Sequence, residues 1–95
     1  MIQNWDKLEY DFGSVPSKMR LNTSFSYLST KKIKDIKSSC SCVSTRFRNG
    51  TLTVDWEFKN KKEAYQSYKY VTVTYEDRTF DVLKLTAFIN GQSRS

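Results

Sequence analysis

The stretch "TLTVDWEF", residues 51–58, limits the fold more than any other part of the chain. Leu52, Val54, Trp56 and Phe58 alternate with Thr51, Thr53, Asp55 and Glu57. A strand puts the four apolar residues on one face, whereas a helix would scatter them around its axis. Asn49-Gly50 directly before it is a turn signal. The same period recurs in "YKYVTVTYE", where Val71, Val73 and Tyr75 alternate with Tyr70, Thr72 and Thr74. It recurs again in "FDVLKLTAFI", with Leu83, Leu85, Ala87 and Ile89 on one face and Val82, Lys84, Thr86 and Phe88 on the other. The short "EDRT" between these two predicts an antiparallel hairpin.

The first half is less regular. "KLEYDF" sets Leu8, Tyr10 and Phe12 against Glu9 and Asp11, and "KMRLNTSFSYL" alternates Met19, Leu21, Thr23, Phe25 and Tyr27 with polar residues. "IKDIKSSCSCV" reads as one further strand with Ile36, Ser38, Cys40 and Cys42 on a shared face. No segment has a helical period. The sequence therefore predicts an all-β chain: an antiparallel β-sandwich of six or seven strands, with a small barrel as the alternative. The expected core is Phe12, Leu21, Phe25, Leu52, Val54, Trp56, Phe58, Val71, Val73, Leu83, Leu85 and Ile89. One domain is expected over all 95 residues, with its body from about 8 to 90 and a fraying polar tail at 91–95.

Aromatic residues make up 15% of the chain, enough to fill a modest core despite an apolar content of only 38%. No run approaches the ~20 apolar residues of a membrane helix, so no membrane insertion is expected. Met1 is followed by no basic-then-apolar leader. The expectation is synthesis in the cytoplasm, with any exit by lysis. The net charge is +6. Its basic residues cluster at Lys31, Lys32, Lys34 and Lys37, at Arg46 and Arg48, and at Lys59, Lys61 and Lys62. Such clusters suit an acidic protein surface or a nucleic acid, or simply keep a small protein soluble. Tyr65, Tyr68 and Tyr70 beside them offer a stacking surface for the nucleic-acid reading.

The chain has no histidine, which removes the usual general base, and no Gly-rich phosphate loop. Asp55 and Glu57 share a strand face opposite the apolar one and read as solvated carboxylates. No enzyme activity and no cofactor are expected.

The two cysteines, Cys40 and Cys42, leave alternatives open. Two cysteines without histidine fall short of a closed zinc site. A C-x-x-C redox motif before a helix is absent. Same-face neighbours on a strand lie about 6.6 Å apart, further than most disulfides span. A bond would need a bend at Ser41. The favoured reading is a pair of structural thiols in a sandwich strand, ahead of a local or intermolecular disulfide, and of metal or redox chemistry.

Tyr10-Asp11-Phe12-Gly13-Ser14-Val15, Ser39-Cys40-Ser41-Cys42-Val43 and the closing "YVTVTYED…VLKLTAFI" occur in an order that resembles a bacterial immunoglobulin-like family of unknown function. That family is related to the Hydin-type and major-sperm-protein-type sandwiches. Its pattern is roughly F-D-F-G-x-[VI] followed by S-C-G-C-T, and the likeness runs from about Tyr10 to Ile89. Tyr10 replaces the first Phe, Ser41 the Gly and Val43 the Thr, and "YLSTKKIKDI" stands where the family has an Asn/Gly-rich hairpin. The resemblance implies an immunoglobulin-like sandwich acting as a non-catalytic interaction module. Small domains of this kind recur as decoration, cement or tail-associated subunits of phage particles. A virion accessory protein on a repeating lattice is thus the expected function. Its expected contacts are Lys31, Lys32, Lys34, Lys37, Arg46, Arg48, Lys61 and Lys62. The alternatives are a basic nucleic-acid-binding protein and a cytosolic or envelope-associated adaptor.

Overall fold

A computed structural model describes residues 4–16, 20–57 and 64–90. Phe58, Lys59, Lys61, Lys62 and the polar tail lie outside them. Seven strands are present: β1 (Glu9–Val15), β2 (Arg20–Ser26), β3 (Ile33–Ser38), β4 (Val43–Arg48), β5 (Thr51–Glu57), β6 (Tyr65–Tyr75) and β7 (Phe80–Ile89). They form a four-stranded sheet, β1-β7-β6-β3, and a three-stranded sheet, β2-β5-β4. The all-β sandwich expected from alternation is the fold.

The connectivity is that of an immunoglobulin sandwich, in which strands B, E and D share one sheet and C, F and G the other. With β2 to β7 taken as B to G, β2-β5-β4 and β7-β6-β3 reproduce both orders. The first strand is divided between the sheets. Trp5 bridges Tyr27 at the end of β2, and Leu28 N–H donates to Asn4 O at 2.7 Å. The chain then crosses over, and β1 pairs with β7. That pairing is parallel, a departure from the wholly antiparallel sandwich expected. A bulge between Asp11 and Ser14 holds Gly13 at φ +74°, and the Asp11 carboxylate accepts the Gly13 N–H at 2.8 Å. Glycine suits this left-handed position.

Both sheets contribute to one core. Leu21, Phe25, Val43, Leu52, Val54 and Trp56 come from the three-stranded sheet. Val15, Val71, Val73, Tyr75, Leu83, Leu85, Ala87 and Ile89 come from the four-stranded sheet. Phe12 is only partly buried, edge-on to Trp56 with ring centroids 6.1 Å apart. The sequence gives no periodic sign of Trp5, which is fully buried. Its indole N–H donates to the Tyr75 hydroxyl at 2.8 Å, and Tyr75 donates onward to Asp81 Oδ2 at 2.6 Å. Burial, followed by the bond to Asp81, pushes the Tyr75 hydroxyl well above its ordinary pKa. This chain of hydrogen bonds fixes the N-terminal segment to the β6–β7 end of the sandwich.

The Asn49-Gly50 signal forms the β4–β5 hairpin. Both residues have positive φ, 52° and 76°, and Arg48 pairs directly with Thr51. That is the geometry which gives a two-residue hairpin the twist of its strands.

Candidate interaction surfaces

The segment "IKDIKSSCSCV" is not one strand. β3 ends at Ser38, residues 39–42 turn, and β4 begins at Val43 in the other sheet. The turn is tied to both layers. Ser39 N–H donates to Tyr70 O at 2.8 Å, while Cys42 O accepts from Glu57 N–H at 2.9 Å. The Ser38 hydroxyl lies 2.9 Å from both Cys40 O and Val43 O. Reversing the chain brings the cysteine Cα atoms to 5.1 Å, and Cys40 and Cys42 form a disulfide. The favoured expectation of two free structural thiols on one strand is corrected accordingly. The strand spacing of about 6.6 Å does not apply within a turn. Val43, expected to point away from the cysteine face, is buried in the core.

This turn decides where the basic residues gather. β3 ends the order of one sheet and β4 ends the order of the other. With only four residues between them, both edges lie on the same flank of the sandwich. Lys34 sits in the bulge between Ile33 and Asp35, and Lys37 is on the outer face of β3 beside Thr72. On β4, Val43 and Phe47 turn inward, Phe47 against Trp5 and Tyr27, so Arg46 and Arg48 turn outward. Lys32, Lys34, Lys37, Arg46 and Arg48 are all exposed.

Their partners differ. Lys37 lies 3.8 Å from Asp35, an exposed pair of little energetic weight. Among the described residues, Lys32, Lys34, Arg46 and Arg48 have no carboxylate within ion-pair distance. Lys31 stands apart from the rim. Its ammonium is 3.1 Å from Asp77, 3.0 Å from Thr79 Oγ1 and 5.3 Å from the Tyr75 ring centroid. It closes the β6–β7 turn instead of facing outward. The Thr79 hydroxyl, the Thr79 N–H and Lys31 together hold the Asp77 carboxyl down at a pKa of about 2.

A second surface lies on the outer face of the four-stranded sheet. Alternation sends Tyr68, Tyr70, Thr72 and Thr74 of β6 outward, beside Thr86, Lys84, Val82 and Phe80 of β7. Tyr68 is 49% exposed, Tyr70 42%, Val82 40%, Phe88 39% and Phe80 63%. Five large apolar side chains therefore share one open face, whereas monomers usually scatter such residues singly. The Lys84 ammonium sits 4.9 Å from the Tyr68 ring centroid. Tyr65 does not join them. It pairs with inward-facing Ile89 and packs against the core, so the expected three-tyrosine surface is reduced to two.

The flanks of this face are oppositely charged. On β1, Glu9 pairs with Lys84 and Asp11 with Thr86, so both carboxylates turn outward. On the other side, residues 32–38 carry Lys32, Lys34 and Lys37 against a single Asp35. The outer face of the three-stranded sheet is polar throughout. A depression of about 310 Å³ there is lined by Ser44, Thr45, Arg46, Thr53 and Asp55.

Among the described residues, no group of three or more His, Cys, Asp or Glu is placed to hold a metal ion. No helix among them is long and apolar enough to cross a membrane. Comparison of the chain with protein-family models, with curated proteins and with solved structures finds no match.

Proposed function

We propose that this protein is a non-catalytic interaction module that docks onto an acidic protein surface through the rim formed by β3 and β4. The observation that carries this reading is that Lys32, Lys34, Arg46 and Arg48 lie along two adjacent sheet edges with, among the described residues, no carboxylate within ion-pair distance of them. Exposed strand edges add backbone groups for pairing with a partner, and the positive rim steers the encounter. A repeating lattice such as a virus-particle surface, a setting suggested by fold analogy with small immunoglobulin-like accessory domains of phage particles, would present such an acidic surface many times over.

A second reading rests on Tyr68 and Tyr70. They stand on successive outward positions of a central strand with Lys84 beside them, which suits base stacking with a phosphate contact. Glu9 and Asp11 on the flank of the same face repel phosphate and count against it.

Fluorescence anisotropy with two labelled probes, an oligoglutamate peptide and a twenty-nucleotide oligo-dT, separates the two readings. Under the docking reading the peptide binds, and Arg46→Glu/Arg48→Glu weakens it by about tenfold or more, while Tyr68→Ser/Tyr70→Ser leaves it unchanged. Tighter binding of oligo-dT, lost in the tyrosine variant and falling steeply with salt, would replace docking with nucleic-acid binding. In a lysate of the native source, sedimentation with large particles that survives nuclease and moderate salt supports the lattice setting. Release by nuclease opposes it.

A further inference from the structure

The geometry points to a second copy of this chain as the occupant of the aromatic outer face of the four-stranded sheet, in a twofold dimer. This goes beyond the docking function; the two share Lys32 and Lys34 of the β3 edge, while Arg46 and Arg48 of β4 belong to docking alone.

The face carries Tyr68, Tyr70, Val82 and Phe88, all open to solvent, with Thr72, Lys84 and Thr86 among them. One flank, β1, presents Glu9 and Asp11. The other is net basic: β3 turns Lys37 and Asp35 outward, Lys34 sits in its bulge and Lys32 lies just before it. A face with one acidic and one basic flank is complementary to itself. A twofold contact places the same patch on both copies. Two sheets stacked face to face have their twofold axis in the plane between them. An axis running between the β1 and β3 flanks carries β1 of each copy over β3 of the other, and two acidic–basic contacts form at once. An axis at right angles to that would set carboxylates on carboxylates and lysines on lysines, which costs energy. The flanks are offset along the strands, because β1 lies against Lys84–Ile89 of β7 and β3 against Val71–Tyr75 of β6. The favoured axis therefore runs obliquely to the strands.

The size of the face sets the expected strength. β6 and β7 run for eleven and ten residues. With strands ~4.8 Å apart and shorter flanks, the face covers on the order of 500 Å² per copy. Stable interfaces bury about 800 Å² per partner, and smaller ones are transient. A dimer in rapid exchange is expected, with both the exposed aromatic residues and the charged flanks needed to form it.

Analytical ultracentrifugation from roughly 1 µM to 1 mM provides the test, with thermal melts confirming that each variant folds. The wild-type protein should shift from monomer to dimer across that range and form nothing larger. Tyr68→Ser/Tyr70→Ser should weaken the dimer by about tenfold or more. Glu9→Lys alone and Lys37→Glu alone should each weaken it, and Glu9→Lys/Lys37→Glu together should restore much of the loss. A chain that stays monomeric at 1 mM overturns the proposal. So does a dimer indifferent to the tyrosines, open-ended association, or a charge swap without rescue. Arg46→Glu/Arg48→Glu should leave the dimer intact, so failure of this proposal is distinguishable from failure of the docking function.

Discussion

The outer face of the three-stranded sheet carries Asn22, Ser24, Ser26, Thr51, Thr53, Ser44, Arg46 and Arg48. That of the four-stranded sheet carries Tyr68, Tyr70, Phe80, Val82 and Phe88. Both arise from the same alternation, and both sheets turn apolar residues inward to one core. A sheet with one solvated face is ordinarily apolar within and polar without. The first sheet follows that rule and the second breaks it. Exposed apolar patches are in general associated with interaction sites, and an exposed ring adds little to the stability of its own domain.

The largest effect should test what the two sheets share. Trp56→Ala, on the inner face of the three-stranded sheet, should cost about 3–5 kcal/mol, and Leu83→Ala on the opposing sheet about 2–5 kcal/mol. Chemical denaturation measures both. A small loss at either position would mean that one sheet does not share the core.

Tyr75→Phe sharpens the difference at the end where the N-terminal segment is held. It leaves the Trp5 indole N–H and Asp81 without the hydroxyl between them. The expected cost is about 1–3 kcal/mol, with an altered tryptophan emission spectrum. An unchanged melting temperature would show that the hydrogen-bond chain is incidental.

Gly13→Ala probes the β1 edge, which only the four-stranded sheet has. Space is open around its Cβ position, so the cost is purely that of the left-handed backbone. About 1–2 kcal/mol is expected, read from the same denaturation curves.

Stripping the faces themselves should separate stability from association. Thr53→Ala on the polar face and Tyr68→Ser/Tyr70→Ser on the aromatic face should each change stability by only about 0.5 kcal/mol. Only the tyrosine variant should change self-association in the ultracentrifuge. A large stability loss from the tyrosine variant would mean that the aromatic face belongs to the fold.

The smallest effect is one of pH. Asp77 has its carboxyl held at about 2, against an ordinary value of 3.8, first by Thr79 and then by Lys31. A carboxyl depressed on folding adds stability above its unfolded value, and that stability is lost as pH falls through the folded one. Acid titration of the melting temperature should show a slight decline between about pH 4 and pH 2 that Asp77→Asn reduces.

β5, β6 and β7 were legible in the sequence because each buries one face, and burial of one face imposes period two on the residues. β1 was legible as a strand but not as a parallel partner of β7, since alternation carries no information on strand direction. The break at Ser39 was hidden, because "SSCSC" has neither Gly nor Pro to mark a turn and keeps the alternation across it. The disulfide was hidden for the same reason: its distance depends on that turn. Trp5 stands in a polar segment, and only the sheet it bridges to shows that it is buried.

The basic residues of the rim were named from composition, yet nothing local placed Lys34 near Arg46. They meet because β3 and β4 end their respective sheets on one flank. Tyr65, Tyr68 and Tyr70 were grouped from composition, although the spacing puts only Tyr68 and Tyr70 on one face. Whether that face would be covered or open depended on which layer lay across it. The sequence by itself determined the class of fold, the alternating faces and most of the core, because those follow from the period with which a strand buries its side chains. Only the tertiary structure decided which faces and edges remain exposed, because that depends on strand order and on contacts between residues far apart in the chain.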